Sequence, residues 1–183
     1  MQIQIDEGIR TLTGAMFDYA DPGRTAIDIR DIAYPLSNNC RFAGHLPWHY
    51  SVAQHCVNVS LLVDDEHAFT ALMHDTSEAF TNDITTPLKR RVPGFKDLEV
   101  MIETEMAKQF GFVFPLPDAV KYADLQMLKV EKELLKQDFS DWAVLDGVEV
   151  SDEEIDRLTL DPLTPSQAFY LFMERYNELR PAR

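Results

Sequence analysis

Ala68-Phe69-Thr70-Ala71-Leu72-Met73-His74-Asp75-Thr76-Ser77-Glu78-Ala79-Phe80 is the stretch that decides the fold. Apolar residues recur in it at three- and four-residue steps with no Gly or Pro between them, so the spacing predicts one helix over 68–80. A core helix would not choose the polar block in its middle. Glu78 stands four residues after His74 and three after Asp75, so on a helix all three side chains reach toward one side. An imidazole beside a carboxylate can share one metal ion, and a neighbouring acid that is not a ligand can handle protons. In a chain with 31 Asp and Glu, a His-Asp dipeptide is weak evidence by itself. The weight comes from two other predicted helices, upstream and downstream, each with one ligand-type residue in an apolar pattern: His55 and Asp124. Ligands converging from three helices are how a metal site is built inside a helical bundle.

Upstream, Ser51-Val52-Ala53-Gln54 has the form of a capping box, which predicts a helix running to about Val63 with His55 beside the stripe Val52, Cys56, Val59 and Val63. A lone His in that position is either a hydrogen-bonded core residue or a ligand. The loop Cys40-Arg41-Phe42-Ala43-Gly44-His45-Leu46-Pro47-Trp48-His49-Tyr50 is dense in Arg, His and aromatic side chains. It suits holding a phosphate and a flat ring, or else its rings cover the core edge and its histidines are solvated. Before it, a brief helix opened by Asp28 buries Ile29, Ile32 and Leu36. Residues 1–27 read as an irregular lead-in or small hairpin, with an alternating segment Gln2-Ile3-Gln4-Ile5 and turn signals at Thr13-Gly14 and Asp21-Pro22-Gly23.

Downstream, Pro87 opens a short helix, and Lys89, Arg90 and Arg91 form the main local cluster of positive charge, either a solvated face or a phosphate contact. Phe95 to Phe110 is an amphipathic helix ended by Gly111, with Leu98, Met101, Ile102, Met106 and Phe110 buried and no chemistry visible on it. A long helix is expected from Asp118 to about Asp138, with Val120, Leu125, Leu128 and Leu135 toward the core and Asp124 in need of a partner if buried. Residues 139–183 are expected to be peripheral: a loop with a short strand near Gly147–Val150, then two helices opened by the capping boxes Ser151–Glu154 and Thr164–Gln167.

Composition bounds the rest. With 183 residues and 45% hydrophobic side chains, the chain reads as one domain, 1–183. A net charge of -14 argues against binding a nucleic-acid polymer, which relies on a broad basic face. A small anionic substrate fits if cations cluster locally. Two cysteines, Cys40 and Cys56, suggest no disulfide framework and a reducing, cytoplasmic setting. No signal-like N-terminus and no run of eighteen apolar residues is present, so neither export nor a membrane partner is expected.

Taken together, His55, the pair His74-Asp75 and the later Asp124 resemble the H…HD…D pattern of the HD-domain metal-dependent phosphohydrolases. Tyr50-Ser51-Val52-Ala53-Gln54-His55 and His74-Asp75-Thr76-Ser77-Glu78, followed by Asp83 and Pro87-Leu88-Lys89, are similar to the small bacterial and phage branch related to 5'-deoxynucleotidases and phage dATP triphosphohydrolases. The resemblance covers roughly residues 10 to 135 and implies an all-α, HD-domain helical bundle. It implies that His55, His74, Asp75 and Asp124 hold one divalent metal, with Mn, Co, Zn, Ni and Mg as candidates; two imidazoles favour a transition metal over Mg. It further implies that Glu78 orients or deprotonates the attacking water and that Asp83 protonates or orients the leaving group. Arg41 would contact phosphate and Phe42, where relatives often carry Trp, the sugar or base, with Lys89 as a further substrate contact.

The leading expectation is therefore hydrolysis of the phosphate ester of a small deoxyribonucleotide, as a 5'-nucleotidase on a dNMP or a triphosphohydrolase on a dNTP such as dATP. The rival is an HD-fold module that senses or binds a nucleotide without turnover; a purely structural metal is a third reading. Base preference, phosphate count, native metal and whether the chain forms a homo-oligomer are left open by the sequence.

Overall fold

The computed structural model describes residues 8–181, and the helix that carries His55 lies at its centre. This helix, α2 (Val52–Val59), buries all eight of its residues. Ser51 caps it, its Oγ accepting from the Gln54 N–H at 3.1 Å. The reciprocal half of the expected box does not form, because the Gln54 side chain donates instead to the carbonyls of Thr159 and Asp161, at 2.8 and 2.9 Å. Nor does the helix reach Val63. Leu61 and Leu62 turn back to the carbonyls of Asn58 and Val59, and these tighter i→i+3 bonds end it at Val59.

Four helices pack on α2: α1 (Arg30–Asn38), α3 (Asp65–Leu72), α7 (Asp118–Val130) and α9 (Pro165–Leu179). In α1, Ile32 and Leu36 are buried as their spacing predicts, and Asp28 accepts from the Arg30 N–H at 2.9 Å just before the helix. Both C-terminal capping boxes are complete, opening α8 (Asp152–Ile155) and α9, and Phe172 and Tyr176 dock α9 on the core. Upstream of α1, β1 (Gly8–Arg10) pairs antiparallel with β2 (Met16–Asp18) around a turn that uses the left-handed φ of 94° at Gly14. The alternating segment Gln2–Ile5 lies outside the described residues. Phe17 of β2 is fully buried and stacks on Phe80, ring centroids 3.7 Å apart.

Three further expectations, about where elements begin and end, are corrected. The stretch 68–80 is not one helix: α3 stops at Leu72 and α4 (Glu78–Thr81) starts after a run of turns over 73–77. Side chains compete here for the carbonyls that a helix would use, His74 Nδ1 meeting the Ala71 carbonyl at 2.7 Å and the Thr76 hydroxyl donating to Met73 O. The backbone follows with i→i+3 bonds from Thr76 to Met73 and from Glu78 to Asp75. The long helix to Asp138 gives up its α geometry at Val130 and continues as a π-helical stretch, Glu131–Leu135. Residues 147–150 form no strand; a 3-10 turn, Ala143–Leu145, precedes them.

Between α4 and α7 lie α5 (Thr86–Lys89), with Pro87 in its first turn, and α6 (Phe95–Phe110), which ends at Gly111 with φ 82° as expected. The inner face of α6 carries Ile102, Met106 and Ala107, while Met101 is 37% exposed. It also carries a buried acid, Glu99, which the apolar pattern alone did not announce. No helix among the described residues is long and apolar enough to cross a membrane.

Candidate metal centre and cleft

α2 and the α3–α4 junction bring His55, His74 and Asp75 together, with one donor atom from each within 4.8 Å of the others. Both imidazoles are buried, and the Nε2 atom of each has no hydrogen-bond partner. These two orphan nitrogens face the same carboxylates. Asp75 Oδ2 lies 3.6 Å from Nε2 of His55 and 3.3 Å from Nε2 of His74. Asp124 Oδ1, supplied by α7, lies 3.2 and 3.8 Å from the same two atoms. The side chain of Asp124 is 42% exposed, so it stands at the rim of the group rather than beneath it.

Ligands bound at about 2.0–2.2 Å to one ion stand roughly 3.0–3.5 Å from one another at tetrahedral to octahedral angles, close to the spread seen here. The donor set thus fits a divalent ion: two buried nitrogen lone pairs with nothing else to satisfy them and two carboxylates to offset the charge. Burial by itself would lower the pKa of His74, but the Asp75 charge, together with Asp124 and Cys56 beside it, more than reverses this and raises it well above its usual range.

Behind His55 the structure adds a residue that sequence reading did not single out. Glu131, with no solvent exposure, accepts from His55 Nδ1 at 2.6 Å and, on its other oxygen, from Arg41 Nη2 at 3.0 Å and Nε at 3.3 Å. Arg41 also reaches Asp83 at 3.3 Å. Burial lowers the guanidinium's pKa, but the charges of Glu131, Asp83, Asp75 and Glu78 together outweigh it and raise it well above its usual value. Phe42 and Ala43 follow with left-handed φ of 55° and 51°, which swings the Phe42 ring between the Arg41 guanidinium at 5.6 Å and Lys136 Nζ at 5.8 Å. The rest of the loop is partly structural. Tyr50 is fully buried, Trp48 packs against the core near α7, and His49 meets the Ser37 carbonyl at 3.1 Å; His45 is exposed.

On the other side of Asp75 opens a cleft of about 430 Å³, lined among others by Glu78, Lys89, Arg90, Lys96, Glu99 and Glu103. Glu78 is 5% exposed, and its Oε2 has no partner; burial, then the charges of Asp75 and Asp83, hold its carboxyl well above the usual range. Its backbone is anchored by Asn39 Nδ2, which donates to the Glu78 carbonyl at 2.9 Å. Lys89 bridges Glu99 at 2.6 Å and Glu78 at 3.4 Å, so it points into the cleft rather than standing on a solvated face. Glu103 accepts from Ser77 Oγ at 3.2 Å, and burial together with the Asp75 charge pushes its pKa up to about 7. The helix α6, read from sequence as free of chemistry, therefore supplies two of the acids around the site. Their only signal was two carboxylates four residues apart, Glu99 and Glu103, bordering the buried Ile102.

All nine residues expected from the sequence lie in this neighbourhood in two groups. Asp75, Glu78 and Lys89 line the cleft, with His55, His74 and Asp124 gathered at Asp75; Arg41, Phe42 and Asp83 lie on the Glu131 side.

Residues 51–141 match the family model described as 5'-deoxynucleotidase YfbR-like. The chain is 44% identical over 176 residues to the uncharacterized protein YfdR of Escherichia coli strain K12, an alignment spanning 96% of this chain and 97% of that protein. An uncharacterized protein of Rhodobacter capsulatus is 31% identical over 138 residues, 68% of this chain and 70% of its own length. The family match contains the residues gathered at Asp75 and the acids of the cleft but begins after Arg41 and Phe42.

Proposed function

We propose that this chain, which belongs to the 5'-deoxynucleotidase YfbR-like family, is a metal-dependent phosphohydrolase that cleaves the phosphate ester of small deoxyribonucleotides. The observation that carries the reading is the pair of buried, unpartnered Nε2 atoms turned toward Asp75 and Asp124 at the head of a cleft. In this reading His55, His74, Asp75 and Asp124 hold one divalent ion, and the two imidazoles favour a transition metal such as Mn, Co, Zn or Ni over Mg. When bound, that ion polarises the phosphoryl group and acidifies water.

Hydrolysis adds water across the P–O ester bond and moves one proton from the water to the departing oxygen of the sugar. Glu78 takes that proton: its Oε2 is unpartnered, it borders the cleft beside Asp75, and its raised pKa makes it a stronger base than an ordinary carboxylate. Asp83, held by Arg41, orients the leaving group or relays to it the proton that Glu78 took. Arg41 and Lys89 offset phosphate charge, and the Phe42 ring packs on the nucleoside. The family description favours the 5'-monophosphate over the triphosphate as substrate. Incubating Mn-loaded protein with every deoxynucleoside mono-, di- and triphosphate, and separating phosphate, pyrophosphate and triphosphate, tests substrate and bond together. Release of phosphate from dNMPs is expected. Triphosphate released from a dNTP would move the reading to a triphosphohydrolase, and nucleotide binding with no product would leave a sensing module.

A further inference from the structure

Glu131 is a carboxylate with no exposure at all, and such a group is costly to bury unless its oxygens are partnered. Each oxygen has a partner, and the two partners belong to different parts of the site: Oε1 to His55 Nδ1 at 2.6 Å, Oε2 to Arg41 at 3.0 and 3.3 Å. Asp124 and Glu131 are seven residues apart, which on a helix returns to nearly the same face two turns on. The His55 ring spans that interval, its Nε2 turned to Asp124 at 3.2 Å and its Nδ1 to Glu131.

We infer that Glu131 is a positioning residue, which fixes the proton of His55 on Nδ1, aims Nε2 at the metal position and ties Arg41 to the same carboxylate. A neutral imidazole carries one N–H, and the nitrogen bonded to a carboxylate keeps it, leaving the other lone pair free for a metal. The π-helical stretch starts at Glu131, a departure from α geometry of the kind that recurs at functional sites. His74 reaches the same tautomer without any such residue, through the Ala71 carbonyl 2.7 Å from its Nδ1. The inference rests on the metal reading above.

The test uses the full chain stripped of metal, as parent and as Glu131→Gln. Three readouts are Mn(II) affinity by titration calorimetry, thermal melting, and the histidine nitrogen–proton spectrum of the Zn-loaded form. We expect the variant to melt cooperatively and to bind Mn(II) about 10–100-fold more weakly. In the parent, His55 should be metallated through Nε2 with a downfield Nδ1–H resonance, which moves upfield in the variant while that of His74 stays. A buried staple with no orienting role would lower the melting temperature and leave Mn(II) affinity and the His55 resonance unmoved, and that result overturns the inference. Should the variant fail to fold, the parent spectrum decides alone, since metal on Nδ1 of His55 is incompatible with it. A parent that binds no divalent ion removes the metal reading and this inference together, whereas equal binding by parent and variant removes only the inference.

Discussion

His55 comes from the middle of a helix buried on every side, whereas His74 comes from a run of turns between two short helices. The first is oriented by a charged residue 76 positions away in the chain, the second by a backbone carbonyl three positions back. A regular helix has no spare carbonyl to orient a side chain within it, so His55 must borrow a partner from another element. At the junction the helix is already broken, and the freed carbonyls do the same work locally. The difference teaches that the two halves of the site should fail differently: the junction through the few residues of 73–78, the α2–α7 side through a network of Glu131, Arg41 and Asp83.

The largest effect should come from breaking the junction. Asp75→Ala removes the carboxylate that faces both orphan nitrogens, and metal affinity should fall by more than the roughly 100-fold that outer partners cost, with activity lost. Metal content after dialysis together with turnover checks this; near-stoichiometric metal in the variant would count against Asp75 as a ligand. Next, Glu78→Gln should keep metal and fold but slow turnover by about 10²–10⁴-fold, since an isosteric amide fills the space without accepting a proton. Normal rates at normal metal content would transfer proton handling to Asp83.

On the other side, Arg41→Ala should weaken binding of every nucleotide by roughly 1.5–3 kcal/mol, the worth of a hydrogen bond to a charged group. Phe42→Ala should instead change the ranking among bases or sugars, and a substrate panel run on both variants separates charge from ring. If neither variant departs from the parent, the loop is structural and the comparison loses its substrate-facing half.

The smallest effect concerns stability. The folded-state pKa of Glu103 is raised to about 7 from 4.5. The folded protein therefore keeps a proton that the unfolded chain gives up between those values, so this acid makes stability fall as pH rises from about 4.5 to about 7, with the cost constant above. Glu103→Gln should thus melt a few degrees higher than the metal-free parent at pH 8 and alike at pH 4.5. An equal shift at both pH values would mean that lost packing, not the charge, sets the difference.

What the sequence determined by itself is what depends on neighbours in the chain. The span of α6 up to its Gly111 stop, the two C-terminal capping boxes and the burial of Ile32 and Leu36 follow from local periodicity and cap chemistry. So does the pairing of His74 with Asp75, and the order of His55 and Asp124 around it was legible as a pattern. Tertiary structure alone decided where buried polar groups find partners. Gln54 left its own cap for Thr159 and Asp161, which only the folded chain puts within reach. The break over 73–77 was hidden because His and Thr side chains win helix carbonyls by a margin that composition does not display. Glu99, Glu103 and Glu131 carried no mark of burial in the sequence, and it is the folded chain that brings α5, the Arg41 loop and α2 against them. Burial belongs to the packing of distant segments, and it turns three ordinary carboxylates into a wall of the cleft and a support for His55.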